Sequence, residues 1–323
     1  MPYIKSERSE RKMIIINQKA TVIGGLSPME HIEKIGRICY KSEDKIADGT
    51  AQKFVAMLQK NRHHAMLEHY RFIMEVNPII YECIGGIKHD YFQMTNTEYK
   101  GRQRFVISFS ARALSNLVED SDCHHHGVLA MVVAGVRDEL IGHIVKAYDC
   151  YELFGWERDR TILLSTGVEF IPNTPDAMNK QEWDHHGWRS IHFITDRGIS
   201  HELVRHRPCS FAQESTRYCN YGLDKFGKEL TVINQGFNGN EYVMWELACE
   251  TAENAYFRLL ELGTKPQMAR SILPTCLKTE IVVTTNIDEW NHIMDLRYYG
   301  TTGAPHPMIK ELVAPLEGEF DYV

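Results

Sequence analysis

Apolar positions along the chain change period several times, and each change marks an element. Met29, Ile32, Ile35 and Ile38 recur at helical spacing. The preceding Ser27-Pro28-Met29-Glu30 combines a reciprocal cap with proline at the first helical position. The helix predicted there places Arg37 and Cys39 at its end. Between residues 67 and 76 the period shortens to two. Tyr70, Phe72, Met74 and Val76 alternate with charged or smaller residues, the pattern of a half-buried strand whose start carries Glu68 and His69. A second strand is predicted over residues 190–196. It leads through Gly198 into Ser200, a cap for a short helix bearing Glu202, Leu203 and Val204. Pro208 stops that helix, so Arg205, His206 and Arg207 fall at its end and residues 210–218 turn back as irregular chain.

Residues 244–262 have an amphipathic helical pattern closed by Gly263, and Pro266 opens a second helix that carries Arg270 and ends before Pro274. Residues 281–285 read as a strand. Asn286 with Glu289 starts another helix, on which Trp290, Ile293, Met294 and Arg297 share one face. Between these halves, residues 109–117 and 127–154 have helix-like spacing, while 171–188 reads as loop. The charged opening, residues 1–13, reads as a tail.

The chain has 323 residues, of which 43% are hydrophobic, enough for one large domain or two. Its formal charge of −7 argues against a protein that works by neutralising a nucleic-acid backbone. Eight cysteines show neither a CxxC pair nor a disulfide framework, and no cleavable leader or long apolar run is present. The expectation is a cytoplasmic protein without a membrane anchor or polymeric nucleic-acid partner.

Against that acidic background, residues 205–218 pack three arginines, a histidine and two serines into one stretch. Arginine forks around serine hydroxyls suit a phosphate or carboxylate. A solvated basic face with interleaved aromatics is the competing reading of the spacing. The order Arg205, His206, Arg207, Ser210, Ser215, Arg217 resembles the signature of the flavin-dependent thymidylate synthases. His63-His64-Ala65-Met66-Leu67-Glu68-His69 is similar to that family's segment ending in Glu-His, and Arg37-Ile38-Cys39-Tyr40 fits before it. Met268-Ala269-Arg270, Leu273-Pro274, Asn286, Leu296-Arg297 and Ala304-Pro305-His306-Pro307 follow in the family's order. The resemblance covers about residues 14–76 and 189–315, interrupted by an insertion at 77–188.

The resemblance implies an α/β (α+β) fold, a single domain over 14–315 with a long, largely helical insertion and a short tail at 316–323. It implies methylation of dUMP to dTMP, with methylenetetrahydrofolate as carbon donor and FAD, reduced by NADPH, as hydride source, without an enzymic nucleophile. It further implies a homotetramer with active sites at subunit interfaces. Carried over, Arg205, His206 and Arg207 contact FAD, with His63, Gln213, Asn286 and His292 as further flavin candidates. Cys39 and Ala65 stand where hydroxyl residues often serve. The nucleotide falls to Glu202, Leu203, Val204, Arg205, Gln213, Glu214, Ser215, Thr216, Arg217 and Arg270. Arg297 takes the catalytic place, as the cation that polarises the pyrimidine. Asn286 also reads as a plain helix cap, and Arg297 as one half of an ion pair with Asp288 or Asp295.

The sequence also offers residues for other chemistries. Cys123-His124-His125-His126 and His185-His186 offer imidazoles, but adjacent residues rarely converge on one ion, and no metal is expected. Cys209 and Cys219 flank the signature, where nearby arginines would favour a thiolate. Ser215 lacks an evident base. The dinucleotide pattern GxGxxG and the phosphate loop GxxxxGK[ST] are absent. A metal-dependent phosphoester hydrolase and a single-strand-binding module are the rival classes.

Overall fold

The computed structural model describes residues 13–119, 129, 138–147, 168–215, 221–222 and 229–322. Ten strands are found among them: β1 Ile14–Ile16, β2 Lys19–Ile23, β3 Arg71–Val76, β4 Phe92–Tyr99, β5 Arg102–Ser110, β6 Glu169–Phe170, β7 Trp188–Asp196, β8 Ser210–Gln213, β9 Thr231–Ile233 and β10 Lys278–Asn286. They form a sheet β2-β7-β10-β8, a second sheet β4-β5-β3-β6, and a parallel pair β1-β9. Strand pairings in both four-stranded sheets are antiparallel. The mixed α/β class follows directly.

The first sheet is covered on both faces, as the alternation along β10 requires. Val282 points to the Pro28–Tyr40 helix, packing with Ile35, Ile38, Cys39 and Ala212. Ile281 and Val283 point the other way, into a core with Phe193, Trp290, Ile293, Ile309 and Leu312. Full burial of such side chains contributes roughly 1.5–3 kcal/mol each. A separate core gathers the Thr50–Lys60 helix, β3, β5 and the Ala111–Glu119 helix.

Several local expectations are met with their atoms in place. The Ser27 backbone N–H donates to Glu30 Oε2 at 3.0 Å and the Ser27 hydroxyl at 2.6 Å, closing the predicted cap. Gly263 follows the Gly239–Glu261 helix with φ +84°, a left-handed turn that glycine takes without strain.

Others are corrected. Residues 109–110 end strand β5, and the helix begins at Ala111. The described part of the insertion thus includes a long hairpin, which the apolar spacing did not announce. Residues 180–186 are a helix rather than loop, opened by Asn179, whose Oδ1 accepts from the Glu182 N–H at 2.8 Å. The helix after β7 spans Arg197–Leu203 and is capped by Asp196, which accepts from the Ile199 N–H at 2.7 Å, so Ser200 lies inside it. Glu68 and His69 belong to a 3₁₀ turn, and β3 after it is buried on both faces. At the C-terminus, Phe320 stacks on Trp290 with ring centroids 5.1 Å apart, so part of the expected tail completes the core. The expected helix over 127–154 and the cluster Cys123 to His126 fall largely or wholly outside the described residues.

Candidate functional site

Two charged clusters lie at opposite ends of β10. At its C-terminal end, Asn286 caps the Ile287–Met294 helix by accepting from the Glu289 N–H at 3.2 Å, and its amide donates to the His185 carbonyl at 3.4 Å. The cap reading of Asn286 therefore holds, whatever else it contacts. Trp290, Ile293 and Met294 are buried, as the shared face predicts. The helix then widens into a single π turn, Asp295–Tyr299, which carries Arg297 inward.

Arg297 Nη1 donates to Glu202 Oε2 at 2.7 Å, Nη2 to the Glu202 carbonyl at 3.4 Å, and Nε to His206 Nε2 at 3.2 Å. Its ion-pair partner is thus Glu202 rather than Asp288 or Asp295. His206 is 6% exposed, and burial pushes its pKa down to about 4, with Arg297 and His292 adding to the shift. Its other nitrogen lies 3.3 Å from Glu289 Oε1. Burial raises the Glu289 carboxyl, and Asp288 adds to that against the opposing pull of His292. Arg205 and Arg207 flank this buried ring with exposed guanidinium groups. Among the described residues, no carboxylate forms an ion pair with either.

At the end of the Arg197–Leu203 helix, Leu203 is a core residue and Val204 is exposed. His63 is exposed, and its Nδ1 lies 3.2 Å from the Tyr40 hydroxyl. Exposed His292 sits edge-on to His206, with ring centroids 6.0 Å apart.

The other end of β10 is more heavily charged and more tightly compensated. Glu214, whose side chain is 2% exposed, meets Lys41 at 3.0 Å, Lys278 at 3.3 Å and Arg197 at 3.7 Å. Glu280 pairs with Lys41 and Lys278 and lies 2.9 Å from His192 Nε2. Burial alone would raise the Glu280 pKa, but the His192 hydrogen bond and the two ammonium groups hold it well below the usual carboxylate range. Burial would likewise lower Lys41, and the two carboxylates reverse that. Gln213 stands beside this cluster, its amide donating to Ser200 Oγ at 2.9 Å and Thr279 Oγ1 at 3.1 Å. Ser215 follows, and exposed Arg270 lies on the segment leading into β10. Thr216 and Arg217 lie outside the described residues.

The structure therefore does not gather the expected site residues at one place within the chain. Glu202, Arg205, His206, Arg207, Asn286, His292 and Arg297 belong to one end of β10. Gln213, Glu214 and Ser215 belong to the other, and the Arg197–Leu203 helix runs between the two groups, with Ser200 bonded to Gln213 and Glu202 to Arg297. Sequence reasoning missed Lys41, Arg197, His192, Lys278 and Glu280, and gave Glu289 only a capping role. The lone signal for the second cluster was the alternation of Lys278 and Glu280 on one face of the strand.

Burial and partners bear on the nucleophile and metal candidates that lie among the described residues. Burial pushes the Cys209 thiol up to about 12, with Glu289 adding, against the thiolate that nearby arginines would favour. Cys219 lies outside the described residues. His186 sits between Thr95 Oγ1 and Ser108 Oγ, each 2.7 Å from one ring nitrogen, which leaves it no lone pair for an ion. Ligating atoms of His206, Glu289 and His292 lie within 4.8 Å of one another. Yet the His206 nitrogen facing Glu289 must carry the proton while Arg297 donates to the other nitrogen, so the ring as held is a hydrogen-bonding group.

No helix among the described residues is long and apolar enough to cross a membrane. Residues 185–309 match the family described as thymidylate synthase complementing protein. The flavin-dependent thymidylate synthase of Sulfolobus acidocaldarius is 39% identical over 112 residues, which cover 33% of this chain and 42% of that protein. That of Geobacter sulfurreducens is 35% identical over 103 residues, 31% of this chain and 43% of that one. The matched stretch thus spans less than half the length of either relative. Among solved structures, a UMP/dUMP methylase, PolB from Streptomyces cacaoi bound with 5-Br dUMP, covers 95% of this chain and 92% of its own at 14% identity. Its TM-score of 0.38 carries no argument.

Proposed function

We propose, on the premise that the chain belongs through residues 185–309 to the flavin-dependent thymidylate synthase family, that it converts dUMP to dTMP. The carbon donor is methylenetetrahydrofolate and the reductant is FAD recharged by NADPH. The observation that carries this reading is the convergence of Arg297 on His206 inside the matched segment, beside two exposed arginines.

The donor set fits a flavin dinucleotide. Arg205 and Arg207 project from one short turn as exposed forks, the geometry that takes a diphosphate bidentately. His206 and His292 supply planar surfaces and ring nitrogens near them, while His63, beside Tyr40, which precedes Lys41 in sequence, would come from a neighbouring copy. Bound there, the flavin would supply the hydride. The protein's own part is to bind, orient and stabilise charge.

Arg297 holds a permanent positive charge in a half-buried place, where a pyrimidine acquiring negative charge is stabilised without reorganisation. Cys209, as a buried neutral thiol, is poorly suited to attack the ring, which supports a route without an enzymic nucleophile. Glu202 and Val204 would line the nucleotide beside Arg205, while Leu203 turns into the core. At the far end of β10, Gln213, Ser215 and Arg270 would meet the nucleotide of a neighbouring copy, with Thr216 and Arg217 following in the sequence. A site shared between subunits would combine the two groups from different copies. It also accords with the homotetramer.

The test is optical. The purified protein is expected to be yellow, and anaerobic NADPH with dUMP should bleach the oxidised flavin band. A colourless protein that neither takes up FAD nor oxidises NADPH rules the reading out.

A further inference from the structure

Of four segments that place Ser or Asn three residues ahead of Glu at a helix start, Asn238 with Glu241 makes no side-chain cap, and the other three do not behave alike. Ser27 with Glu30 and Asn179 with Glu182 close both halves of the reciprocal cap, each Glu reaching back to the capping residue's N–H at 3.0 and 3.1 Å. In the third, Asn286 accepts from the Glu289 N–H, while the Glu289 carboxylate turns away from the cap and meets His206 Nδ1 at 3.3 Å. The carboxylate forgoes a local hydrogen bond that the same spacing secures elsewhere, so its direction calls for another cause.

The cause is the chemistry of the ring. A guanidinium N–H can only donate, so His206 Nε2, 3.2 Å from Arg297 Nε, must present its lone pair. A neutral imidazole with an accepting Nε2 carries its proton on Nδ1, the nitrogen that faces Glu289. The ring's depressed pKa, about 4, agrees with the neutral form. We propose that Glu289 is a positioning residue that holds His206 in the Nδ1–H tautomer and thereby fixes the direction of the Arg297 guanidinium.

Without that acceptor the ring is free to carry its proton on Nε2. An N–H would then face the N–H of Arg297, and the guanidinium would keep only its Glu202 contacts, at 2.7 and 3.4 Å. The cation would turn toward Glu202 and away from the ring it is to polarise. The link to catalysis rests on the reading that Arg297 faces the pyrimidine; the tautomer itself does not.

The experiment uses full-length protein labelled with ¹⁵N-histidine, with two-bond ¹H–¹⁵N correlations that identify the protonated ring nitrogen and a His206→Gln sample to assign the signal. The wild type should show Nδ1 protonated and Nε2 bare. Glu289→Gln, whose amide oxygen still accepts, should keep that pattern, and Glu289→Ala should move it to Nε2–H. In turnover, Glu289→Ala should lower kcat roughly tenfold, in the range found for partners that orient a histidine, with a smaller change in KM for dUMP and recovery in Glu289→Gln. A wild-type His206 protonated on Nε2 overturns the proposal, as does an unchanged tautomer and kcat in Glu289→Ala. The wild-type spectrum is read without substrate. An inactive protein showing the Nδ1–H form would therefore defeat the thymidylate reading and leave this one standing.

Discussion

The two ends of β10 carry similar residue types to different ends. At Lys278 and Glu280, three cations share two carboxylates, and each of Lys41, Lys278 and Arg197 has a carboxylate partner. At Asn286 the balance is tipped. Arg297 is matched by Glu202, while Arg205 and Arg207 stand exposed without a carboxylate partner among the described residues. Charge count alone would rank the first cluster higher as a site. Pairing ranks them the other way, because cations that share buried carboxylates stabilise their own geometry, whereas exposed cations without such partners on a short turn favour an incoming anion.

The largest effect that would break this contrast is catalytic. Arg297→Ala should reduce dTMP formation by two orders of magnitude or more, since one preorganised charge contact is worth about 3 kcal/mol, with flavin still bound. A near-normal rate would remove Arg297 from the chemistry. Glu214→Ala should instead act on stability, leaving Lys41, Lys278 and Arg197 with one carboxylate fewer. Urea melting should register a loss of about 3 kcal/mol, the scale for breaking a buried pair. A loss below about 1 kcal/mol would deny the cluster its structural role.

Acidification separates the two ends further. His206 has a folded pKa near 4 against an ordinary 6.5, so the unfolded chain takes up its proton first. Its contribution is full above pH 6.5 and is lost as pH falls toward 4. Glu280 is held below its ordinary 4.5, so its contribution persists above that value and is lost only in stronger acid. In a pH series of urea melts, His206→Gln should therefore flatten the stability slope between pH 6.5 and 4, and Glu280→Gln the slope below about 4.5. Identical profiles would contradict the assignment. The smallest expected effect is Asn286→Ala, about 1 kcal/mol for a lost cap. An accompanying fall in flavin affinity would give that side chain its second role.

What the sequence disclosed depended on how local the physics was. Caps such as Ser27 with Glu30, the face shared by Trp290 and Ile293, and the Arg205 to Ser215 spacing are all written within a few residues. The β4-β5 hairpin was hidden because its buried positions include Thr95, Thr97, Arg104 and Ser108, which face Glu182 and His186 from a distant segment. A strand that buries polar groups against a polar partner shows no apolar alternation. The same holds for the Lys41, Glu214 and Glu280 cluster, whose members meet only through three separate turns of chain. Glu289 was visible as a helix-start residue, but its diversion to His206 needs the loop at 204–209 to be in place.

Sheet order also bears on how the chain is made. The strands β3 to β6 that form the second sheet lie within residues 71–170, so its pairings are available once that stretch has left the ribosome. The β2-β7-β10-β8 sheet needs Lys19 beside Ile194, and Ile194 beside Glu280, and so waits for nearly the whole chain. Until β10 is synthesised, β7 has an uncovered edge, and pairings this distant in sequence form slowly. The arginine turn at 205–207 is therefore translated well before the strand that gives it its place, and chaperone demand should peak in the interval between them.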